Sequence, residues 1–207
     1  MRGVAFIGGE SPAPQMLREI AQGADVLVAV DSGLIACENA GLTPDWILGD
    51  MDSLDTLARL DKYPASAVLR FPPDKDFTDT ELALNLLKQK GCDEIWLCGG
   101  GGGRMDHLLA IRAIFEREDP PDKWFPSAHE VRCLREGALL RADRVPDSVV
   151  SVFPLGAGPW KAESSGLKWP LDGLVWEPGS AYISNRALSG IIEVRALQGR
   201  FLVILPG

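Results

Sequence analysis

The 207-residue chain has no long hydrophobic run, few cysteines and little positive charge. No uncharged apolar stretch approaches the roughly 20 residues that a membrane-spanning helix needs. The apolar stretch in the opening "MRGVAFIGGESP" is also shorter than that of a signal peptide. We therefore expect no membrane partner and a cytoplasmic location.

The cysteines and the charge exclude further classes of protein. The four cysteines show no CxxC spacing, which argues against both a zinc site and a disulfide framework. The formal net charge is -8. It argues against a general nucleic-acid binder, because such a protein needs cationic side chains to neutralise phosphates.

Apolar residues make up 46% of the chain, which is enough for a packed core. The first half alternates short apolar runs with helical patterns, beginning "VAFIGG", "APQMLREIAQG" and "DVLVAVD". This alternation predicts an α/β domain with a mainly parallel sheet, which we place at residues 1–122. Within it, Thr78 and Glu81 predict a capping box at the start of one helix, and Gly91 predicts its end.

The second half has a different pattern. The segment "EDPPDKWFPSA" breaks the alternation and is typical of a linker or a crossover. Beyond it, strand-like pieces such as "HEVRCL", "SVVSVFPL" and "RFLVIL" are separated by turn residues. They predict a small C-terminal all-β sandwich domain at residues 129–207.

Acidic residues follow several predicted strands of the first half. In an open parallel sheet, ligands bind at the carboxyl ends of the strands, so these residues are predicted to share one edge. They are Asp31, Asp50, Asp52, Asp74, Asp76, Asp79 and Asp106. "GDMDS" alone also fits a turn or a helix N-cap. The repetition after successive strands favours metal-assisted handling of phosphates, because Mg²⁺ prefers carboxylate and phosphate oxygens.

A run of five glycines, 99–103, follows another predicted strand. Backbone N–H groups of glycines can approach phosphate oxygens closely. Arg104 adds a planar fork for one more phosphate. His107 fits a base, a phosphate ligand or a structural hydrogen-bonder, and Asp106 also fits a charge that favours the helix dipole.

The motifs "GDMDS", "DKDFTDTELAL" and "GGGRMDHLLA", followed by "SGLKWPL" and "YISN", resemble those of the thiamine pyrophosphokinase family across nearly the whole chain. The resemblance implies an ATP- and Mg²⁺-binding catalytic domain followed by a thiamine-binding β-sandwich. It also implies a homodimer with active sites between the subunits. The implied reaction transfers the diphosphoryl group of ATP to the hydroxyl of thiamine and releases AMP.

The resemblance also implies roles for single residues. Around the metal and the ATP phosphates it places Asp31, Asp50, Asp52 and Asp79. The rest of the catalytic and nucleotide-binding site would consist of Asp76, Gly101, Gly102, Gly103, Arg104, Asp106 and His107. Trp169 would stack on the thiamine pyrimidine, and Ser184 and Asn185 would hydrogen-bond to it. Asp79 and Asp106 are both candidates for the base.

Three residues depart from the family pattern. Ser32 and Leu34 replace smaller residues and are expected to narrow the nucleotide pocket. Ile111 stands where the family commonly has an Asn.

Two rival functions stay open. A diphosphokinase acting on another alcohol, such as a pterin, fits the α/β domain, but the β-half motifs argue against it. A nucleotide sensor without catalysis would bind ATP but release no AMP.

Overall fold

The computed structural model describes residues 1–72, 74, 76–188 and 190–206 and divides into two compact units. The first comprises Met1–Ile114 and Lys123–Ala128, and the second comprises Phe115–Asp122 and His129–Gly207. The units therefore differ from the predicted domains in the segment between them. Residues 115–122 belong to the second unit, and residues 123–128 belong to the first.

The first unit is built around a parallel sheet. Its strands are β1 (Arg2–Phe6), β2 (Val26–Val30), β3 (Trp46–Gly49), β4 (Val68–Arg70), β5 (Glu94–Cys98) and β6 (Lys123–Phe125), in the order β6-β5-β1-β2-β3-β4. Its helices are α1 (Pro14–Ala21), α2 (Gly33–Asn39), α3 (Asp79–Gln89) and α4 (Met105–Phe115). Helix α3 begins with the predicted capping box of Thr78 and Glu81.

The predicted linker is wrong where it covers β6. The three residues of β6 pair in parallel with β5, and Trp124 and Phe125 are buried. The indole Nε1–H of Trp124 donates to the carbonyl of Gly99 at 2.7 Å. Flanking prolines and the shortness of the strand hid it, because a three-residue apolar run carries no periodicity.

Apolar side chains on both faces hold the sheet of the first unit. Val4 and Phe6 on β1 are fully buried and pack with Leu17 and Ile20 of α1. A second cluster joins Leu34 of α2 to residues of β2 and β3 and to the loop after β3; its buried members are Ala29, Leu34, Ile47, Met51 and Leu60. Burial of both faces is the usual state of a parallel sheet.

The second unit contains two antiparallel sheets. Its strands are β7 (His129–Leu134), β8 (Leu139–Asp143), β9 (Val149–Leu155), β10 (Lys161–Ser165), β11 (Tyr182–Arg186), β12 (Ile191–Gln198) and β13 (Arg200–Pro206). One sheet has the order β11-β9-β13-β7 and the other β10-β12-β8. Val152 and Val203 of the first sheet share one buried cluster with Leu140 and Val194 of the second.

No helix among the described residues is both long and apolar enough to cross a membrane.

Candidate active site

The carboxyl ends of β2 and β3 bring the first acidic residues together. Asp31 directly follows β2 and adopts a left-handed backbone, with φ of +46°. Its Oδ1 accepts the N–H of Met51 at 3.1 Å. Gly49 ends β3 with φ of +141°, and a Cβ there would lie 1.8 Å from Oδ1 of Asp31. Only glycine leaves room for this carboxylate against the end of β3.

Asp50 and Asp52 form a tight turn beside Asp31. The N–H of Asp52 donates to Oδ1 of Asp50 at 3.1 Å. The N–H of Ser32 donates to Oγ of Ser53 at 3.2 Å, which links the loop after β2 to the loop after β3. The two loops are thus held together by hydrogen bonds at the sheet edge.

The carboxylates interact electrostatically. The pKa of Asp31 is raised to about 6, mainly by burial. The hydrogen bond from the N–H of Met51 partly offsets burial, and the charges of Asp79, Asp50 and Asp52 add to the increase. Like charges raise a carboxyl pKa only when they are near it. The four predicted metal-binding carboxylates therefore share one electrostatic environment.

Helix α3 positions Asp79 at its first residue. Oγ1 of Thr78 accepts the N–H of Glu81 at 3.3 Å, and the Glu81 carboxylate accepts the N–H of Thr78 at 2.7 Å. These bonds fix the start of the helix. Asp76 and Phe77 precede it and are exposed, while Lys75 of the same motif lies outside the described residues.

The glycine run after β5 has a structural role that the sequence did not reveal. The N–H groups of the first three glycines donate to other loops: Gly99 to the carbonyl of Phe125, Gly100 to that of Gly8, and Gly101 to that of Glu10. The N–H of Gly101, which is predicted to face a phosphate, therefore donates to Glu10 in this conformation. Gly102 and Gly103 remain the candidates.

The glycines also allow close approach of neighbouring groups. A Cβ at Gly99 would lie 2.3 Å from the carbonyl oxygen of Ile7, and a Cβ at Gly100 would lie 2.4 Å from Cδ1 of Ile111. The glycine run thus packs the loop after β5 against the loop after β1.

Arg104 and Asp106 form a bidentate ion pair. Nε and Nη2 of Arg104 lie 2.9 and 2.6 Å from the two carboxylate oxygens of Asp106. These hydrogen bonds hold the pKa of Asp106 well below its usual range. Since a carboxylate with such a low pKa is a weak base, the pair argues against Asp106 as the proton acceptor.

A cavity of about 880 Å³ joins these elements. Predicted residues that line it are Asp31, Asp50, Asp52, Asp76, Asp79, Gly101, Gly102, Gly103, Arg104 and His107. Asp106 does not line it, although its partner Arg104 does. The cavity also has an apolar wall that includes Ile7, Ile111 and Ile114.

Sequence reasoning missed several lining residues, and two of them are polar side chains in loops at the sheet edge. Glu10 and Ser53 both line the cavity, and Glu10 lies in the loop after β1. The rule that assigned the other acidic residues to the sheet edge would have found Glu10. Ser32 lines the cavity as expected, but Leu34 is fully buried in the core and does not narrow it.

The donor set suits Mg²⁺ only when a phosphate ligand completes it. Among the described residues, no three His, Cys, Asp or Glu side chains form a group that could hold a metal ion. The predicted set of four carboxylates is therefore no preformed cage. Mg²⁺ commonly binds through one or two carboxylates, substrate phosphates and water, and the coupled carboxylates at this cavity fit that mode.

Trp169 in the second unit is 54% exposed, which is unusual for an indole. Nζ of Lys168 lies 4.8 Å from its ring centroid. Ser184 is exposed, lies at an irregular point of β11 and has φ of +61°. These positions leave the Trp169 ring and the Ser184 hydroxyl accessible.

Asn185, which is predicted to hydrogen-bond to thiamine, is only 5% exposed. Its Nδ2 donates to the carbonyl of Trp169 at 2.6 Å, and its Oδ1 accepts the N–H groups of Trp169 at 3.2 Å and Arg186 at 2.8 Å. The structure therefore favours a residue that positions Trp169 over the predicted direct contact with a ligand.

Comparison with known proteins decides the family. The family model "Thiamin pyrophosphokinase, catalytic domain" matches residues 17–119, and "Thiamin pyrophosphokinase, vitamin B1 binding domain" matches residues 129–199. Thiamine pyrophosphokinase of Bacillus subtilis strain 168 is 36% identical over 166 residues, which cover 78% of each chain. The chain belongs to the thiamin pyrophosphokinase family.

Solved structures of family members share the fold. The Bacillus subtilis thiamine pyrophosphokinase has a TM-score of 0.83 and 22% identity, with 100% of this chain and 99% of that one covered. The yeast thiamin pyrophosphokinase has a TM-score of 0.72 and 15% identity, with coverage of 100% and 86%.

Proposed function

We propose that the chain is a thiamine diphosphokinase whose reaction takes place in the acid-lined cavity of the first unit. It transfers the diphosphoryl group of ATP to the hydroxyl of thiamine, which gives thiamine diphosphate and AMP. The observation that carries this conclusion is the pair of matches to the family's catalytic and vitamin B1 binding domains.

The acidic end of the cavity is assigned to magnesium and the ATP phosphates. The proposed metal-binding carboxylates are those of Asp31, Asp50, Asp52 and Asp79. Their mutual effect on the pKa of Asp31 supports this assignment, because a cation relieves such repulsion. When bound there, magnesium would neutralise part of the phosphate charge.

Nucleotide binding is assigned to the other residues that line the cavity. Arg104 contacts a phosphate with its guanidinium, which requires it to leave or share Asp106. The N–H groups of Gly102 and Gly103 supply further donors, while His107 and Asp76 complete the polar lining. The apolar wall of the cavity accepts the base of ATP.

The thiamine hydroxyl attacks the β-phosphorus of ATP in line, and AMP leaves. Because little covalent chemistry falls to the protein, catalysis is mainly positioning and charge stabilisation. Asp79 is the better candidate for the base of the two proposed carboxylates. Asp106 is paired with Arg104, and its low pKa opposes proton uptake.

The second unit supplies the thiamine contacts. The exposed indole of Trp169 suits a flat, cationic ligand, and the hydroxyl of Ser184 supplies a hydrogen bond. Asn185 acts through Trp169, whose backbone it holds on both sides.

The proposed assembly is a homodimer in the cytoplasm. The dimer follows from the resemblance to the family. The location is supported by the four free, buried cysteines, which suit a reducing compartment.

The test is incubation of the purified protein with magnesium, ATP and thiamine, followed by mass spectrometry. We expect thiamine diphosphate and AMP in equal amounts, and none without magnesium. AMP without thiamine diphosphate would favour another alcohol as acceptor, and no AMP would favour the nucleotide sensor.

A further inference from the structure

Helix α2 and the turn at Leu57–Lys62 carry an ion pair outside the cavity. We propose that Glu38 and Arg59 are positioning residues for the magnesium site, because their pair keeps Asp50 and Asp52 beside Asp31. This inference rests on the proposed assignment of those carboxylates to magnesium.

The pair connects the two elements that follow the acidic residues. Asp31 follows β2 and leads into α2, whose last turn carries Glu38. Asp50 and Asp52 follow β3 and lead into the 3₁₀ turn Leu57–Lys62, which carries Arg59. A bond between Glu38 and Arg59 therefore closes a link between the two acidic loops.

Glu38 is well enclosed. Its side chain is 13% exposed and that of Arg59 is 17% exposed. Nη1 of Arg59 donates to Oε2 of Glu38, while Nζ of Lys62 at 3.0 Å and the hydroxyl of Tyr63 at 3.1 Å donate to Oε1. Two donors from the Leu57–Lys62 turn and one from the residue after it thus converge on a single carboxylate of α2.

The charge of Glu38 is stabilised by these bonds. Burial alone would raise its pKa, but the hydrogen bonds from Lys62, Arg59 and Tyr63 outweigh burial and lower the pKa below its ordinary value. Breaking one side of a partly buried pair leaves the other charge poorly compensated, so the pair resists opening.

Arg59 also reaches back to the acidic loop. Its Nε and Nη2 donate to the two carboxylate oxygens of Asp55 at 2.9 and 2.5 Å. One guanidinium therefore spans Glu38 on α2 and Asp55 at the end of the loop. The fixed fork of arginine suits this arrangement, and lysine cannot reproduce it.

The loop needs such a restraint. Asp52, Ser53 and Asp55 are exposed, and the charges of Asp50 and Asp52 act against that of Asp31. In the metal-free protein this repulsion favours separation of the two loops. The bonds of the Glu38–Arg59 pair oppose that separation and keep the carboxylates near enough to share an ion.

If the pair is purely structural, breaking it should lower stability without a selective effect on metal affinity. If it is a positioning pair, breaking it should weaken metal binding in a protein that is still folded. Residues that orient metal ligands typically change metal affinity by about 10- to 100-fold when they are replaced.

The experiment measures Mn²⁺ binding by electron paramagnetic resonance in the presence of α,β-methylene-ATP, which cannot release AMP. We expect Arg59→Gln and Glu38→Gln each to raise the Kd for Mn²⁺ about tenfold. The double variant should show no larger loss than either single one, because both remove the same link. Arg59→Lys should bind Mn²⁺ more tightly than Arg59→Gln but less tightly than the unmodified protein.

Arg141→Gln is the matched control. It breaks an arginine–glutamate pair with Glu193, at 2.9 Å in the second unit, and should leave the Kd unchanged. Thermal unfolding of each variant establishes that it is folded at the temperature of the titration. Glu38→Gln retains an acceptor for Lys62 and Tyr63 and should lower the Tm less than Arg59→Gln does.

Unchanged Mn²⁺ affinity in a folded Arg59→Gln or Glu38→Gln variant would overturn the positioning role but not the proposed magnesium site. Losses that add up in the double variant would overturn it as well. No Mn²⁺ binding by the unmodified protein would instead overturn the magnesium site on which the inference rests.

Discussion

Asp31 is a carboxylate that folding places in an unfavourable environment. Its pKa in the folded protein is about 6, against an ordinary value of 3.8. The folded state thus binds more protons than the unfolded state between these values. The free energy of unfolding of the metal-free protein should fall as the pH rises through this window and stay lower above it.

We predict that Asp31→Asn stabilises the metal-free protein while abolishing turnover. The amide keeps an acceptor for the N–H of Met51 but removes the charge. The gain at pH 7.5 should be on the order of 1 kcal/mol after solvent screening is allowed for, which is a few degrees in Tm. Calorimetry in EDTA would show it, and the gain should vanish near pH 4. A variant less stable than the parent at pH 7.5 would contradict this account.

Asp79 is predicted to act in the reaction rather than in the fold. Asp79→Asn should lower kcat by about 10²- to 10⁴-fold, because it removes a proposed magnesium ligand and proton acceptor but leaves the Thr78 capping box in place. Asp61→Asn, at an exposed carboxylate of the Leu57–Lys62 turn, is the control and should retain activity. Steady-state kinetics with circular dichroism would decide. Near-normal kcat in Asp79→Asn would exclude it as the base.

Trp169 and Asn185 are predicted to affect thiamine rather than ATP. Trp169→Ala should raise the KM for thiamine about tenfold, since a stacked cation contributes about 1 to 2 kcal/mol. Asn185→Ala should cause the same selective rise, and Asn185→Asp, which loses the donor to the Trp169 carbonyl, should not restore the low KM. Val175→Ala, at a side chain that is 77% exposed, serves as the control. A larger rise in the KM for ATP would reverse the assignment of the two ligands.

At the scale of elements, the loops after β1 and β5 are joined by backbone hydrogen bonds. Their backbones exchange hydrogen bonds between Glu10 and Gly101 at 2.8 and 3.0 Å. Gly100 has φ of +74°, and a Cβ there would meet Ile111 at 2.4 Å. The glycine run therefore shapes the cavity before any ligand is bound.

Gly100→Ala should lower stability by about 1 to 3 kcal/mol, because it adds a steric clash to an unfavourable backbone conformation. Gly41→Ala is the matched control. Gly41 has a similar φ of +71°, but a Cβ added there would meet no atom within 4 Å, so only the backbone penalty applies. Equal losses of Tm in the two variants would show that the packing of the glycine run is unimportant.

Much of the first unit follows from local sequence pattern. Residues after buried parallel strands must meet at one edge, so Asp31, Asp50 and Asp79 were predicted to lie together, and the cavity contains them. The capping box of α3 was predicted because its residues are three apart. The pairing of Gly101 with Glu10 was not, because it joins segments about 90 residues apart and depends on tertiary contacts.

In the second unit, too, local sequence pattern predicted the elements but not the tertiary contacts. Sequence pattern predicted its strands, and the resemblance to the family singled out Trp169, which is exposed. Sequence pattern did not predict that Asn185 would bond the Trp169 backbone, because side-chain direction at an irregular strand depends on the register of the paired strand.

At the scale of the whole molecule, we predict a homodimer. Sedimentation equilibrium should give a mass about twice the chain mass of 22.4 kDa. The measurement belongs at moderate ionic strength, because a net charge of -8 on each chain opposes association at low salt. A single 22.4 kDa species at all concentrations and salt levels would contradict the proposed assembly.

The central claim is that a whole diphosphoryl group moves in one step from ATP to thiamine. The most direct test uses ATP with radiolabelled β-phosphorus, magnesium and thiamine, with products separated by chromatography. The account predicts that the label appears in thiamine diphosphate while unlabelled AMP accumulates in equal amount. Label retained in ADP, with thiamine monophosphate as the product, would contradict it.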